Sequence, residues 1–238
     1  MESQRRSSSV RFATCSLVPD MRTVTFKNVY VQARSAVVGP LEKEGPLGSL
    51  FDKSYEDAYC GESSFEKAER VLLGDAVDLT LRKAGKGVQD IDLLVGGDLI
   101  NQLTSSHYFA KDLEVPFLGM YGACSTSSLV IGTGAVWVEH GLARQVLPFT
   151  SSHVATAERQ FRFPNEYGIQ KKETTTSTVT GAGAALLSNE KSNIRVAAFT
   201  PGRIVDWDHK DANDMGLAMA PAAYDTITQH LKDMHRES

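Results

Sequence analysis

The sequence is poor in cysteine and has neither a long apolar run nor a block of basic residues. Its three cysteines, Cys15, Cys60 and Cys124, share no metal-ligand spacing. An odd count without a secretory signal argues against a disulfide framework and points to a reducing, cytosol-like compartment. The longest apolar stretch, near residues 129–138, is too short to span a bilayer and is diluted by glycine. With a net charge of −4 and scattered Lys and Arg, nothing favours nucleic acid as a partner. A signal-peptide core is missing as well, because residues 12–19 are too few and too polar. Residues 1–21 carry Arg5, Arg6, Arg11 and Ser7 to Ser9 without periodicity, the composition of a disordered or mis-assigned N-terminal tail.

What is present is an ordinary globular composition, 42% hydrophobic and 23% charged over 238 residues, enough for one large domain or two modest ones. Alternation from Thr23 to Val31 predicts a strand, and a second extended piece ends at Val37 to Pro40. Glu42 to Asp52 is rich in turn residues and reads as an ordered loop. Ser64 opens a helix over 65–83 that Gly85 stops. Strands follow over 91–97, 117–122, 144–151, 177–187 and 194–200, with helices over 105–113, 125–140 and 220–234. Strands and helices alternate through short connections, which is the pattern of an α/β sheet with crossover helices.

The centre of the chain is Tyr121-Gly-Ala-Cys-Ser-Thr-Ser-Ser128 and the helix after it. Gly122 and Ala123 allow a sharp strand-to-helix turn, and Ser125, Thr126 and Ser127 are N-cap candidates. Cys124 then lies at a helix N-terminus, where free N–H groups and the helix dipole favour negative charge. The helix has almost no polar face, so it calls for cover on every side. The pairs Gly132/Gly134 and Gly181/Gly183 do not open a helix after a strand, so they serve close packing and are not a dinucleotide fingerprint.

Sites in such sheets lie beyond the carboxyl ends of the strands. Asp98 to Gln102, Gly122 to Ser127 and Ser152 to Arg162 all fall at such ends. Asn101 and Gln102 suit a carboxylate or a ring nitrogen, or alternatively cap the next helix. His107 and His153 either meet a ligand or are structural, and they form no metal motif. Arg159 and Arg162 lie three apart and offer a guanidinium for a carboxylate, or pair with Glu158 or Glu166. Cys124, flanked by Ser125 and Thr126, reads as a nucleophile, as the wall of an anion pocket, or as an inert small residue.

The order of elements, βαβαβαββ with a cysteine opening the third helix, resembles the N-terminal half of the thiolase fold. Several stretches resemble the stage V sporulation protein AD family more closely. They are Glu44-Gly-Pro-Leu-Gly-Ser-Leu-Phe-Asp-Lys53, Gly97-Asp-Leu-Ile-Asn-Gln102, Gly122-Ala-Cys-Ser-Thr-Ser127 and the fifteen residues from Thr150 to Pro164. Thr176 to Gly183 and Asp214 to Pro221 complete the set. The resemblance implies a tail over 1–21, a thiolase-like half over 22–205 and the start of a second half over 206–238. In the latter, Ala222, Ile227 and Leu231 mirror Ala68, Leu72 and Ala76. It implies binding of dipicolinic acid, alone or as its calcium complex, in support of uptake into the developing spore. It implies no further cofactor, no metal ligands and no catalysis, with Cys124 a relic nucleophile position. Implied partners are membrane-bound subunits of the same sporulation transport complex, at the forespore inner membrane, with homodimerisation left open. The alternatives are an acyltransferase of thiolase or ketosynthase type using Cys124, and a scaffold subunit without a ligand.

Overall fold

In the computed structural model, which describes residues 21–161, 177–211 and 214–235, the chain divides into two units. One comprises Thr25–Phe199, the other the described residues up to Val24 with those from Thr200 onward. In chain order the elements of the larger unit are β1 (Tyr30–Val38), α1 (Pro40–Glu44), β2 (Lys53–Ser54), α2 (Phe65–Ala84) and β3 (Leu93–Gly97). They continue with α3 (Thr104–Lys111), β4 (Phe117–Gly119), α4 (Thr126–Glu139), β5 (Gln145–Ser152), α5 (Val154–Phe161) and β6 (Gly181–Ser188).

Helix α2 begins and ends where its sequence dictates. Ser64 is extended and its hydroxyl accepts the Lys67 N–H, while Gly85 adopts φ 64° and its N–H reaches the Arg82 and Leu81 carbonyls. The buried stripe Ala68, Leu72, Leu73, Ala76, Val77 and Leu81 lies against one face of a six-stranded sheet. The strand order is β2-β1-β6-β5-β3-β4. β5, β3 and β4 run parallel to their neighbours in this set, whereas β6 is antiparallel to both β1 and β5.

Alternation along the strands feeds two cores. Leu94, Leu147, Phe149 and Leu186 face α2 and α3, while Leu93, Val95, Val146 and Leu187 face α4. The result is three layers, with helices on both faces of a parallel-rich sheet. Helix α4 comes close because it is made of small residues. A Cβ on Gly134 would stand 3.1 Å from Val146 Cγ1, and one on Gly132 would enter the Phe199 ring. Half of α4 remains less well covered within this chain, since Leu129, Ile131, Val136 and Trp137 are only half-buried.

Some expectations shift. The first core strand is Tyr30–Val38, which ends where the second extended piece is expected to end. Ala33 to Val38 pair residue for residue with β6 after an irregularity at Gln32. Within Thr23–Val31 a short strand covers Val24–Thr25, and Lys27 and Asn28 turn their N–H groups onto Glu139. The strand expected over 194–200 is mostly a string of single bonds to residues 26–31, with only Ala198–Phe199 regular. The loop over 42–52 contains the end of α1 and a 3₁₀ turn, Gly48–Leu50. In the smaller unit, helix α6 (Met215–Asp233) starts five residues before the expected 220, because Asp214 caps it by accepting the Leu217 N–H at 2.9 Å. There Asp233 accepts both the backbone N–H groups of Arg22 and Thr23 and the Thr23 hydroxyl. Among the described residues, no helix is long and apolar enough to cross a membrane.

Candidate functional site

The parallel register sets Gly97 of β3 level with Thr150 of β5, and Gly96 level with Gly119 of β4. Three strand ends therefore open on one edge of the sheet, and the segments that leave them carry most of the candidate residues.

Beyond β3, Asp98 is buried and its carboxylate accepts three hydrogen bonds. They come from the Ile100 N–H at 2.8 Å and from the N–H and hydroxyl of Ser106, each at 2.7 Å. This folds the chain back into a 3₁₀ turn over Asn101–Leu103, with Gln102 and Leu103 at φ 60° and 54°. Left-handed backbone at two non-glycine residues is held against its own preference, and it leaves the Asn101 and Gln102 side chains exposed. His107, one turn into α3, is exposed; its Nδ1 bonds the Leu103 carbonyl and its ring meets Phe117 edge-on.

Beyond β4 comes the cysteine turn. Ala123 adopts φ 46° and opens a 3₁₀ turn over Ala123–Ser125 that runs directly into α4. Thr126 is buried and its hydroxyl joins the Gly122 N–H and the Ala123 carbonyl, while the Ser125 hydroxyl donates back to the Gly122 carbonyl. These bonds brace the turn from within, and no side chain caps the helix. Cys124 is left exposed at its start. Beside it, the Tyr121 hydroxyl is pushed above its ordinary pKa by burial, reinforced by Cys124 and Asp98.

Beyond β5, His153 turns inward and is 0% exposed. Its Nε2 faces the Ala58 carbonyl at 2.8 Å, its Nδ1 accepts the Ala155 N–H at 3.1 Å, and Phe65 packs on its ring. Both nitrogens are engaged, so this residue offers no open polar atom to a ligand. Burial holds its pKa down, with the Ala58 bond acting in the opposite sense. The exposed Arg159 on α5 ion-pairs with Glu66 of α2. Arg162 lies outside the described residues.

The structure thus brings Asn101, Gln102, His107, Cys124, Ser125 and Thr126 onto neighbouring strand ends, while His153 and Arg159 are tied to α2 and the loop before it. Sequence reasoning passed over Glu69. It is fully buried on α2 and contacts the hydroxyls of Ser151 and Thr156 at 2.9 and 3.0 Å. The signal was there: Glu69 stands three, four and seven residues before Leu72, Leu73 and Ala76, on the apolar stripe. A separate shallow groove of about 360 Å³, lined by Glu62, Lys67, Arg70, Val71, Phe109 and Asp112, contains none of the candidates. Among the described residues no cluster of His, Cys, Asp and Glu could hold a metal ion.

A cysteine turn opening a buried helix at the carboxyl edge of such a sheet defines a thiolase-like, ketosynthase-type fold. The chain superposes on OleA of Xanthomonas campestris bound to cerulenin with a TM-score of 0.61 at 13% identity, over 93% of this chain and 75% of that one. It superposes on 3-oxoacyl-(acyl carrier protein) synthase III, FabH, of Xanthomonas oryzae pv. oryzae with a TM-score of 0.54 at 15% identity, over 90% and 75%. Within that fold, the chain belongs to the Stage V sporulation protein AD (SpoVAD) family, whose profile matches residues 20–238. Stage V sporulation protein AD of Bacillus subtilis (strain 168) is 50% identical over 208 residues, 87% of this chain. The chain spans 62% of that relative's length.

Proposed function

We propose that the chain belongs to a protein that binds dipicolinic acid, or its calcium complex, without chemical conversion, in support of its uptake into the developing spore. The observation that supports binding most directly is the uncapped start of α4, with exposed Cys124 and Ser125 beside exposed Asn101, Gln102 and His107. Helix N–H groups and amide donors suit a small planar dicarboxylate. Calcium would enter with the ligand and add its own charge. Binding without chemistry fits the histidines: the hydrogen bonds of His107 and His153 go to Leu103, Ala58 and Ala155, none to Cys124. Membership of a sporulation family supports the setting, with membrane-bound subunits of one transport complex as partners at the forespore inner membrane.

Calorimetric titration of the chain with dipicolinate, with and without calcium, tests the reading. Heat of binding and a raised melting temperature are expected; neither appearing would overturn it. One observation favours a second reading, acyl transfer by Cys124: the thiol is exposed on a strained turn of a fold shared with ketosynthases. Acylation of Cys124 by an acyl thioester, followed by mass spectrometry, would establish that alternative.

A further inference from the structure

Glu69 has a hydrogen-bonding arrangement that a bare carboxylate does not complete. Its Oε1 receives the Ser151 hydroxyl at 2.9 Å. Its Oε2 lies 3.0 Å from Thr156 Oγ1, and that same hydroxyl oxygen lies 3.0 Å from the His153 carbonyl oxygen. Thr156 has one hydroxyl proton and two oxygen neighbours. Both contacts become hydrogen bonds when Glu69 carries a proton, donating to Thr156 Oγ1 while Thr156 donates to His153.

The charges around Glu69 agree with this. Asp98, one residue past the Gly97–Thr150 pair that ends the adjoining strand, accepts three hydrogen bonds and adds negative charge. Glu66, one turn earlier on α2, pairs with Arg159 of α5, so that cation is engaged. His153 gives its Nε2–H to Ala58 and accepts at Nδ1, which is the neutral ring. On the remaining packed elements, β6 has no ionisable side chain, Arg34 of β1 and Lys111 of α3 are exposed, His107 bonds Leu103, and Glu42 of α1 accepts the Thr180 N–H. Burial first, and Asp98 second, push the Glu69 pKa up to about 7.

We propose that Glu69 is a positioning residue that keeps its proton in the folded protein up to neutral pH, fastens α5 to the end of β5 through Thr156, and couples anion binding at the strand ends to proton uptake. The coupling rests on the binding reading above. An incoming dianion at the strand ends adds negative charge on the side of Asp98, whose own charge already acts on Glu69, and so raises the proton affinity of Glu69. By linkage, the affinity then falls as pH rises through 7, by up to about tenfold per pH unit for one linked proton.

The test compares the wild-type chain with Glu69→Gln and Glu69→Ala. Gln keeps an acceptor for Ser151 and a donor for Thr156, and so imitates the protonated acid. Without ligand, the unfolding midpoint of the wild type should fall between pH 5 and 8 relative to that of Glu69→Gln, which lacks the Glu69 proton but keeps the contribution of buried His153, and Glu69→Ala should be the least stable. The same slope in Glu69→Gln as in the wild type overturns the protonated Glu69. Dipicolinate titrations near pH 7, in two buffers of different ionisation enthalpy, should show proton uptake by the wild type and none by Glu69→Gln. Binding without proton uptake overturns the coupling and leaves the binding reading standing. Absence of binding overturns both the coupling and the binding reading, while the ligand-free slope still decides the protonation of Glu69.

Discussion

Asp98 holds Ser106 by two bonds at once, taking its N–H and its hydroxyl on one carboxylate oxygen, each at 2.7 Å. The end of β3 is thereby fastened to the first turn of α3, and the exposed pair Asn101 and Gln102 is carried on the bridge between them. Replacing Asp98 by Ala leaves the two buried donors of Ser106 and the part-buried Ile100 N–H without an acceptor. The expected loss is about 2–4 kcal/mol in urea unfolding, with Asp98→Asn milder because its carbonyl still accepts. Equal stability of Asp98→Ala and the wild type would show that the bridge is not needed.

Glu69 makes stability depend on pH in the direction opposite to an ordinary paired carboxylate. Its folded-state pKa of about 7 lies above the ordinary 4.5, so between those values the folded chain holds more protons than the unfolded one. The contribution of Glu69 to stability is therefore fully present below the ordinary value, declines as pH rises through the interval, and levels off above about 7. The full swing is of order 3 kcal/mol at most. Chemical unfolding at pH 5 and pH 8 measures it.

Gly97 has no room for a side chain. A Cβ there would lie 1.9 Å from the Met120 carbonyl oxygen, and backbone cannot swing aside as a side chain can. Gly97→Ala should force β3 and β4 apart and destabilise the chain by about 3 kcal/mol. A thermal melt unchanged from wild type would refute the close approach.

The two described thiols should separate cleanly. Cys124 is exposed, whereas Cys60 is 8% exposed and its thiol is pushed up to about 11 by burial, with Asp57 adding to it. Iodoacetamide in native buffer should alkylate Cys124 and spare Cys60 until denaturant is added. Peptide mapping that finds both labelled at similar rates would contradict this.

Helix α6 presents apolar side chains to water. Leu217, Tyr224 and Ile227 fall on one side of it and are 44%, 75% and 60% exposed. Together with the half-buried side of α4, this predicts binding of a hydrophobic dye and association that rises with concentration. Tyr224→Lys with Ile227→Lys should weaken both. A monomeric chain that melts cooperatively and binds no dye would count against it.

Much of the architecture was legible because it is written in local chemistry. Ser64 and Gly85 mark the ends of α2 through bonds made within a few residues, and the alternation of Leu93 to Val95 sorts side chains to two faces before any partner is known. The positions of Asn101, Gln102 and Cys124 at strand ends followed from the same pattern. Which of the first two extended pieces enters the main sheet is not legible locally, because Thr23 to Val31 and Tyr30 to Val38 are both plausible strands on their own. Pairing with β6, a partner some 150 residues away in the chain, selects the second.

What the sequence determined alone was the class of fold and a small-residue turn with a cysteine opening a helix that has no polar face. Those properties depend on residue size, periodicity and capping, which act over a few positions. What only the tertiary structure decided was which polar groups face inward. His153 stood at a strand end like any ligand candidate, and the loop through Ala58 closed over it. Glu69 stood on a helix like any surface carboxylate until Ser151 and Thr156, more than eighty residues later, enclosed it. Burial comes from distant parts of the chain packing together, and so does the protonation that burial imposes on Glu69.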